Sequence, residues 1–343
     1  MAGRGSGSGE VPAPFRCAES HHFGVVTTVL GPVEPSALGI VDAHSHVWVE
    51  RVPGALASGP ILADRDPILA ELRAYREAGG GAIVDCQPRG CGRNGCILAE
   101  LSQASGVALV ACTGYHRRRY YVADDPLWEL DESAAADQFI AELQSGLFET
   151  RAGPVPVRAG FVKAACEVTL AETPRTLLTG AAWAARQTGA ALAVHTERGE
   201  SAEEIVQFLT SEGVGVEQMI LCHMDKRPDF GLHRDLGQAG VLLEYDTFLR
   251  PRYDPEANLW PLIAQMAATG LDGSVALATD MADPALWAYG GGPGLTVLPT
   301  RIRARLQKMD LPSTSIQRML GHNIAFRLAG AVAAPEPSQE RER

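Results

Sequence analysis

The sequence predicts an α/β protein that folds as a single (β/α)8 TIM barrel. Two observations predict this fold: eight short apolar runs recur along the chain, and segments with helical spacing separate most of them. The length of 343 residues suits a one-domain barrel, and 46% hydrophobic with 21% charged residues is the composition of an ordinary globular protein.

The apolar runs are rich in β-branched residues, and most of them end in a polar or charged residue. Strands buried on both faces of a parallel sheet have this continuous apolar character. In chain order, the runs are GIVDAHSH from Gly39, GAIVDC from Gly81, VALVAC from Val107, RAGFVKA from Arg158, ALAVHTE from Ala191, MILCHMD from Met219, VLLEYD from Val241 and VALATD from Val275. We therefore predict eight parallel strands.

The segments between the runs include PILAELRAYREAG, PRTLLTGAAWAARQTG and SAEEIVQFLTSEG. Several segments close at a glycine, the residue that most readily adopts the left-handed conformation after a helix. These glycines are Gly79, Gly189, Gly213, Gly240 and Gly270. The alternative is an open doubly wound sheet, but such a sheet ordinarily has fewer strands.

The two ends of the chain differ in composition from the rest. Residues 1–20 are rich in Gly, Ser and Pro, and residues 334–343 are polar, so both are expected to be disordered around one domain at 21–333. No apolar stretch is long enough to span a membrane, and the first residues lack a signal-peptide core. Seven cysteines, several in apolar runs, indicate buried reduced thiols and a cytoplasmic location.

Charge and cysteine spacing exclude two further classes of function. A net charge of −11 disfavours a nucleic-acid partner but permits a local site for a small anion. In CQPRGCGRNGC, four residues separate Cys86 from Cys91 and Cys91 from Cys96, and this spacing does not fit a zinc ribbon. Its glycines do not match a dinucleotide fingerprint. We expect a tight loop at the barrel mouth, with Arg89 and Arg93 at the rim.

Side chains capable of binding metal lie on five of the predicted strands. Functional groups of a (β/α)8 barrel gather at the C-terminal ends of its strands, so these side chains should share one mouth. His44 and His46 are two residues apart and therefore face the same way from an extended chain. The other candidates are Lys163 on the fourth strand, His195 on the fifth, His223 on the sixth and Asp280 on the eighth.

Each candidate also has an ordinary structural interpretation. A lone histidine can be a hydrogen-bonded core residue, Asp280 can cap a following helix, and Lys163 can extend to the rim. Six such coincidences at one mouth are less economical than one metal site. Imidazoles and carboxylates suit zinc and its borderline neighbours.

The chain resembles the phosphotriesterase-related branch of the amidohydrolase superfamily. The resemblance lies in GVVTTVLGPVEPSALGIVDAHSH, GFVKAA, AVHTERG, ILCHMD and ATD, in this order, and it covers about residues 24–328. One departure is Ser45, where many relatives have glutamate between the two histidines. That position should point away from the metals.

The resemblance implies a centre of two divalent metal ions, with zinc expected and manganese or cobalt as alternatives. The more buried ion would be bound by His44, His46 and Asp280, and the more exposed one by His195 and His223. Lys163 would be carboxylated and would bridge the ions. A bridging hydroxide would be the nucleophile, because metal binding lowers the pKa of water, and Asp280 would serve as general base and acid.

Basic and tyrosine side chains are concentrated in the loops YHRRRYY, DKR and TFLRPRY, after the third, sixth and seventh runs. Family members that hydrolyse phosphorylated sugar lactones resemble this chain in the loops after the sixth and seventh runs. That resemblance implies that Lys226, Arg250 and Tyr253 bind a phosphate, and His116 and Asp225 are candidates for contacts to sugar hydroxyls. Loop arginines can instead pair with neighbouring acids.

The leading hypothesis is a lactonase for a small phosphorylated, or otherwise anionic, sugar lactone. The second is a phosphotriesterase or amide hydrolase that uses the same metals, although a neutral triester would favour an uncharged aromatic pocket. The third is a metal-binding barrel that senses a ligand without catalysis. The resemblance also implies a homodimer, and no nucleic-acid or membrane partner is expected.

Overall fold

The structure is a computed structural model, and it describes residues 24–57 and 59–330. The predicted disordered leader (1–20) and tail (334–343) lie outside the described residues, and the domain limits of 21–333 remain a prediction. None of the helices in the described ranges is long and apolar enough to cross a membrane.

Ten strands are present in the described chain. β1 (Val26–Thr28) and β2 (Gly31–Val33) form a short antiparallel hairpin, and the other eight strands form one sheet of parallel neighbours in chain order. These eight are β3 (Ile40–Ser45), β4 (Gly80–Asp85), β5 (Ala108–Gly114), β6 (Phe161–Ala165), β7 (Leu192–His195), β8 (Met219–Cys222), β9 (Leu242–Tyr245) and β10 (Val275–Leu277). Nearly all of their residues are buried, which confirms the eight predicted parallel strands.

The first and last strands of this sheet meet and close it into a barrel. The N–H of Asp280 donates to the carbonyl oxygen of His44 at 2.8 Å. Beside this contact, the Asp42 carboxylate accepts from the N–H of Thr279 at 2.9 Å and from the Thr279 hydroxyl. An open sheet would keep these two strands apart, so the barrel prediction is confirmed.

The helices lie between consecutive strands or after the last one. They are α1 (Arg65–Glu77), α2 (Gly95–Ser105), α3 (Glu132–Gln144), α4 (Arg175–Thr188), α5 (Ala202–Ser211), α6 (Phe230–Ala239), α7 (Leu259–Ala268), α8 (Arg303–Lys308), α9 (Ser313–Gln317) and α10 (Asn323–Ala329). The three segments predicted to be helical correspond to α1, α4 and α5. As expected, α4 and α6 end at Gly189 and Gly240, whose φ angles of 73° and 102° are left-handed.

The interior of the barrel is apolar at one end and polar at the other. Val41, Phe161 and Ile220 belong to an apolar cluster that also contains Ile324 and Leu328 of α10. Buried ionisable side chains lie instead toward the C-terminal ends of the strands, and they include His44, Lys163, His223, Glu244 and Asp280. The apolar end supports the fold, and the polar end is therefore the candidate site.

The end of β5 approaches β6 very closely at Gly114. Its φ is 101°, and a Cβ at this position would lie only 1.8 Å from the carbonyl oxygen of Lys163. No side chain fits there without moving the backbone of β6, so glycine is needed beside Lys163.

Candidate active site

The structure brings all six predicted metal ligands to the C-terminal mouth of the barrel. The ring centroids of His44 and His46 are 5.5 Å apart, those of His44 and His223 are 4.8 Å apart, and those of His195 and His223 are 4.7 Å apart. The Asp280 carboxylate lies 3.6 Å from Nε2 of His46. These side chains come from strand ends that are far apart in sequence but adjacent around the barrel.

Lys163 is completely buried on β6. Its Nζ lies 3.5 Å from the Sγ of Cys222, and its charge adds to the effect of burial in lowering the pKa values of His44 and His46. Lys163 is therefore part of the same cluster. Its amine points into the barrel and does not extend to the rim.

Three groups of ligand atoms in the described residues could each hold a metal ion, since the atoms of a group lie within 4.8 Å of one another. One group is His44, His46 and Asp280, the set predicted for the more buried ion. The second group is His44, His223 and the β9 residue Glu244. The third group is His223, Asp280 and Asp246, which directly follows β9.

Neighbouring side chains occupy one nitrogen of each of three histidines. The Nδ1 of His46 lies 2.6 Å from Oε1 of Gln87, and the Nδ1 of His223 is hydrogen-bonded to the Asp246 carboxylate. The Nδ1 of His44 lies 2.8 Å from Oε1 of Glu244. The opposite nitrogens of His46 and His223 face the mouth.

The two histidines predicted for the more exposed ion also face each other. The Nδ1 of His195 lies 2.9 Å from Nε2 of His223. Its other nitrogen, Nε2, is buried and has no hydrogen-bond partner in the described residues, the Glu197 carboxylate being 3.8 Å away. One metal ion between the two facing nitrogens would satisfy both.

Gln87, Glu244 and Asp246 were not predicted as site residues from the sequence. Glu244 and Asp246 carried a usable signal, because they are two residues apart at the end of VLLEYD, like the histidines of DAHSH. Gln87 carried none, since it lies in the loop after β4 and contacts His46 only through the fold.

Two of the candidate ligands have strained backbone. His223 and Asp280 have φ angles of 64° and 46°, in the left-handed region that non-glycine residues rarely adopt. Such conformations persist where the surrounding structure enforces them, and they concentrate at functional sites. Here each strained residue directs its side chain into the cluster.

Burial controls the charge of the cluster. It lowers the pKa of His44, His46 and His223, and that of His195 to about 4, so these imidazoles are neutral near pH 7 and can donate lone pairs. Burial also acts to raise the pKa of Asp280, but the nearby positive charges, that of Arg250 first among them, together outweigh it and the net shift is downward. The site therefore combines neutral imidazoles with an ionised carboxylate.

The chemistry of these donors fits divalent metal ions. The possible ligand atoms of His44, His46 and Asp280 lie within 4.8 Å of one another, and Nδ1 of His195 lies 2.9 Å from Nε2 of His223. Within the described residues, no carboxylate forms an ion pair with the buried Lys163 amine, although an unpaired buried ammonium is costly. Metal ions would bind the lone pairs of these imidazoles and of the Asp280 carboxylate, and carboxylation of the Lys163 amine would replace its positive charge with a negative one.

Arg250 lies directly beside the cluster. Its Nη2 is 2.7 Å from Oδ2 of Asp280, and the guanidinium also donates to the backbone carbonyls of Asp246, Thr279 and Asp280. In this structure most of the donors of Arg250 are therefore engaged in holding the end of the eighth barrel strand.

Lys226 and Tyr253, the other two residues of the predicted phosphate site, have fewer contacts of their own than Arg250. The Nζ of Lys226 lies 5.9 Å from the centre of the Tyr253 ring, and both residues are partly buried. Lys226 has no ion pair with a carboxylate in the described part of the chain, although the charges of Asp246 and Asp280 act to raise its pKa. Its charge is available to an anion.

The two residues suggested as sugar contacts have different positions. His116 lies at the edge of the cluster, with its ring centroid 5.3 Å from that of His195. Asp225 is buried, and its Oδ2 accepts from the N–H groups of Asp246 and Thr247 and from the Thr247 hydroxyl. The Asp225 carboxylate thus supports the end of β9, and the sugar contact remains a prediction.

Several other loop arginines are paired with acids. Arg117 donates to Glu167 at 2.8 Å and also to Glu197. The expectation that Arg93 lies at the rim is wrong, because its side chain is fully buried and binds the carboxylates of Glu142 and Glu149. Residues of α3 and of other loops, distant in sequence, provide these partners.

A cavity of about 500 Å³ opens beside the cluster. Its wall includes His46, Gln87, His116 and Tyr120, and the rest comes mainly from residues 49–57 and 59–61. The cavity is large enough for a small organic molecule whose reacting bond lies at the histidines.

Comparisons with known proteins agree with this arrangement. Residues 24–325 match the Phosphotriesterase family. An N-acetyltaurine hydrolase from Salmo salar is 24% identical over 88% of this chain and 96% of that protein. A phospho-furanose lactonase from Mycoplasmopsis agalactiae is 30% identical over 68% of this chain and 69% of that protein.

Solved structures share the fold. A lactonase from Listeria monocytogenes superposes with a TM-score of 0.81 over 90% of this chain and 100% of that chain, at 21% identity. The family match spans nearly all of the described residues and includes every strand of the barrel. The chain therefore belongs to the phosphotriesterase family, and it is a metal-dependent hydrolase.

Proposed function

We propose that this enzyme opens a phosphorylated sugar lactone at a centre of two divalent metal ions. The observation that carries the proposal is the convergence of four imidazoles, the Asp280 carboxylate and the buried Lys163 at one mouth. Similarity to a phospho-furanose lactonase at 30% identity supports this substrate class.

The residues present can hold both ions. We assign His44, His46 and Asp280 to the buried ion and His195 and His223 to the exposed ion, with zinc as the expected metal. We assign a carboxylated Lys163 as the bridge between them. Such ions supply an acidified water and polarise the bond to be broken.

Asp280 is the proposed proton carrier. The Arg250 guanidinium lowers the pKa of Asp280, so the carboxylate is ionised at neutral pH and can accept a proton from the attacking water. The same carboxylate can then pass that proton to the leaving alcohol oxygen of the opened ring. Arg250 fixes the orientation of Asp280 through its bonds to three neighbouring carbonyls.

The substrate phosphate is proposed to bind at Lys226 and Tyr253, with added positive charge from Arg250. An ammonium and a phenol hydroxyl provide charge-assisted and neutral hydrogen bonds to phosphate oxygens. His116 lies across the cluster, beside the 500 Å³ cavity, where the rest of the sugar has room. Asp225 is proposed to contact the sugar through Oδ1, the carboxylate oxygen that has no hydrogen-bond partner in the described residues.

Hydrolysis of an amide with an anionic group is the second candidate. The N-acetyltaurine hydrolase from Salmo salar matches 88% of this chain, a larger share than the lactonase matches. An amide and a lactone both present a carbonyl to the same metals, and an anionic tail would use the same cations.

The test is turnover of paired substrates by protein reconstituted with zinc and bicarbonate. We expect hydrolysis of a phosphorylated furanose lactone to exceed that of its unphosphorylated counterpart and that of N-acetyltaurine. Arg250→Ala should reduce lactone turnover with zinc content retained, and Arg234→Ala, at an exposed and distant site, serves as the control. Turnover of N-acetyltaurine alone would replace the lactonase proposal, and equal turnover of both lactones would contradict the phosphate site.

A further inference from the structure

We propose that Glu244 is the positioning residue for His44: its carboxylate accepts the Nδ1–H of His44 and so directs Nε2 toward the more buried metal ion. This inference rests on the proposed two-metal centre. It assigns a function to a β9 side chain that is not among the proposed ligands.

The contact lies in the barrel interior. Both side chains are about 1% exposed, and Oε1 of Glu244 is 2.8 Å from Nδ1 of His44. Neither atom has a properly aligned hydrogen bond within the described residues. Two buried polar atoms at contact distance, with no other partner, are satisfied together by a small rotation of the imidazole ring.

The other two histidines on this side of the site set the pattern. His46 is held at Nδ1 by Gln87, and His223 is held at Nδ1 by Asp246. A neutral imidazole has one N–H, so an acceptor at Nδ1 fixes the proton there and leaves the lone pair on Nε2. Glu244 gives His44 the same arrangement, which is how carboxylates commonly orient histidines that bind metal.

Glu244 could instead be a metal ligand, because His44, His223 and Glu244 form one of the possible ligand groups. That group needs a nitrogen of His223. Both nitrogens of His223 are already engaged, Nδ1 by Asp246 and Nε2 opposite His195. If Glu244 positions His44, each nitrogen of His44 and His223 has a single partner. If Glu244 were a metal ligand, one nitrogen of His223 would need two partners.

Two substitutions of similar volume separate these assignments. Glu244→Gln keeps an oxygen that accepts the Nδ1–H, whereas Glu244→Met fills the same space with no strong acceptor. Each protein is loaded with zinc and bicarbonate, and zinc affinity and stoichiometry are measured by competition with a chelator. We expect Glu244→Met to weaken the binding of one of the two zinc ions roughly 10- to 100-fold, with Glu244→Gln close to wild type.

A proton NMR spectrum of the zinc-loaded proteins gives a second readout. The wild type and Glu244→Gln should show one more hydrogen-bonded imidazole N–H signal than Glu244→Met, whereas the signals of His46 and His223, held by Gln87 and Asp246, should be present in all three proteins. If Glu244→Met does not fold, Glu244→Gln alone separates the two assignments: retention of the additional signal and of zinc affinity supports the positioning role, and their loss supports the ligand role. Thermal unfolding of the metal-free variants shows whether each one folds.

Equal zinc affinity in all three proteins would overturn the inference. Equal loss in Glu244→Gln and Glu244→Met would also overturn it, because the carboxylate would then be needed as a ligand or as a charge. A wild-type protein that binds no zinc would refute the two-metal centre itself. Zinc binding unaffected by Glu244→Met would refute the positioning role alone.

Discussion

The metal cluster and the basic loops share one mouth but differ in how they are built. The cluster side chains project from the barrel strands or from residues within three positions of the strand ends, and the parallel register of the strands places them side by side. The basic residues lie on loops, and several of them are already paired: Arg117 with two glutamates and Arg250 with Asp280.

This difference shows which charges are available to a substrate. A run of arginines in a loop predicts a cationic surface, but an arginine bound to carboxylates contributes little net attraction to an anion. Lys226, which has no carboxylate ion pair in the described ranges, is the stronger candidate for an anionic ligand.

The largest effect is expected at the cluster. Lys163→Ala removes the proposed bridge between two ions, so we expect zinc content to fall well below two per chain and activity to fall by more than the roughly 100-fold typical of a residue that only orients a ligand. Elemental analysis and turnover measure both. Lys308→Ala, at an exposed position of α8, is the control. Full activity in Lys163→Ala would contradict the bridge.

Asp280→Asn should have the next largest effect. Asparagine cannot take a proton from water, and loss of a general base typically lowers the rate by about 10²- to 10⁴-fold. Turnover per bound zinc is the relevant measurement, because Asp280 is also a proposed ligand. Unchanged turnover per zinc would remove Asp280 from the proton pathway.

Lys226→Met tests the loop region. One charge-assisted hydrogen bond is worth about 1.5–3 kcal/mol, so kcat/KM for a phosphorylated lactone should fall roughly 10- to 150-fold. The same constant for the unphosphorylated lactone should not change. A parallel fall for both substrates would assign Lys226 to the cluster and not to the phosphate.

The smallest effect is expected at Arg117. Its guanidinium is already committed to Glu167 and Glu197, so Arg117→Gln should change kcat/KM by less than about fivefold, with the same ratio for both lactones. Steady-state kinetics on the paired substrates check this. A selective loss for the phosphorylated lactone would show that Arg117 does bind phosphate.

Most of the fold could be predicted from the sequence, because local patterns determine it. The apolar runs coincide with the eight strands, and the glycines after α4 and α6 have the expected left-handed backbone. Barrel closure could not be derived in this way. It depends on the contact of Asp42 with Thr279, two residues that are 237 positions apart.

For the candidate site, the sequence indicated which side chains meet but not how they are oriented. His44 and His46 could be recognised from their spacing, and the strand order brought His195 and His223 to them. The role of Gln87, the buried ion pairs of Arg93 and the bond between Arg250 and Asp280 depend on partners from distant strands, helices or loops. No local pattern encodes such partners.

The zinc content of the purified wild-type chain, reconstituted with zinc and bicarbonate, tests the central claim most directly. The account predicts two zinc ions per chain, with hydrolytic activity that is lost on chelation and restored by adding zinc. A chain that binds no zinc, or that keeps full activity after chelation, would contradict the assignment of the four histidines, Lys163 and Asp280.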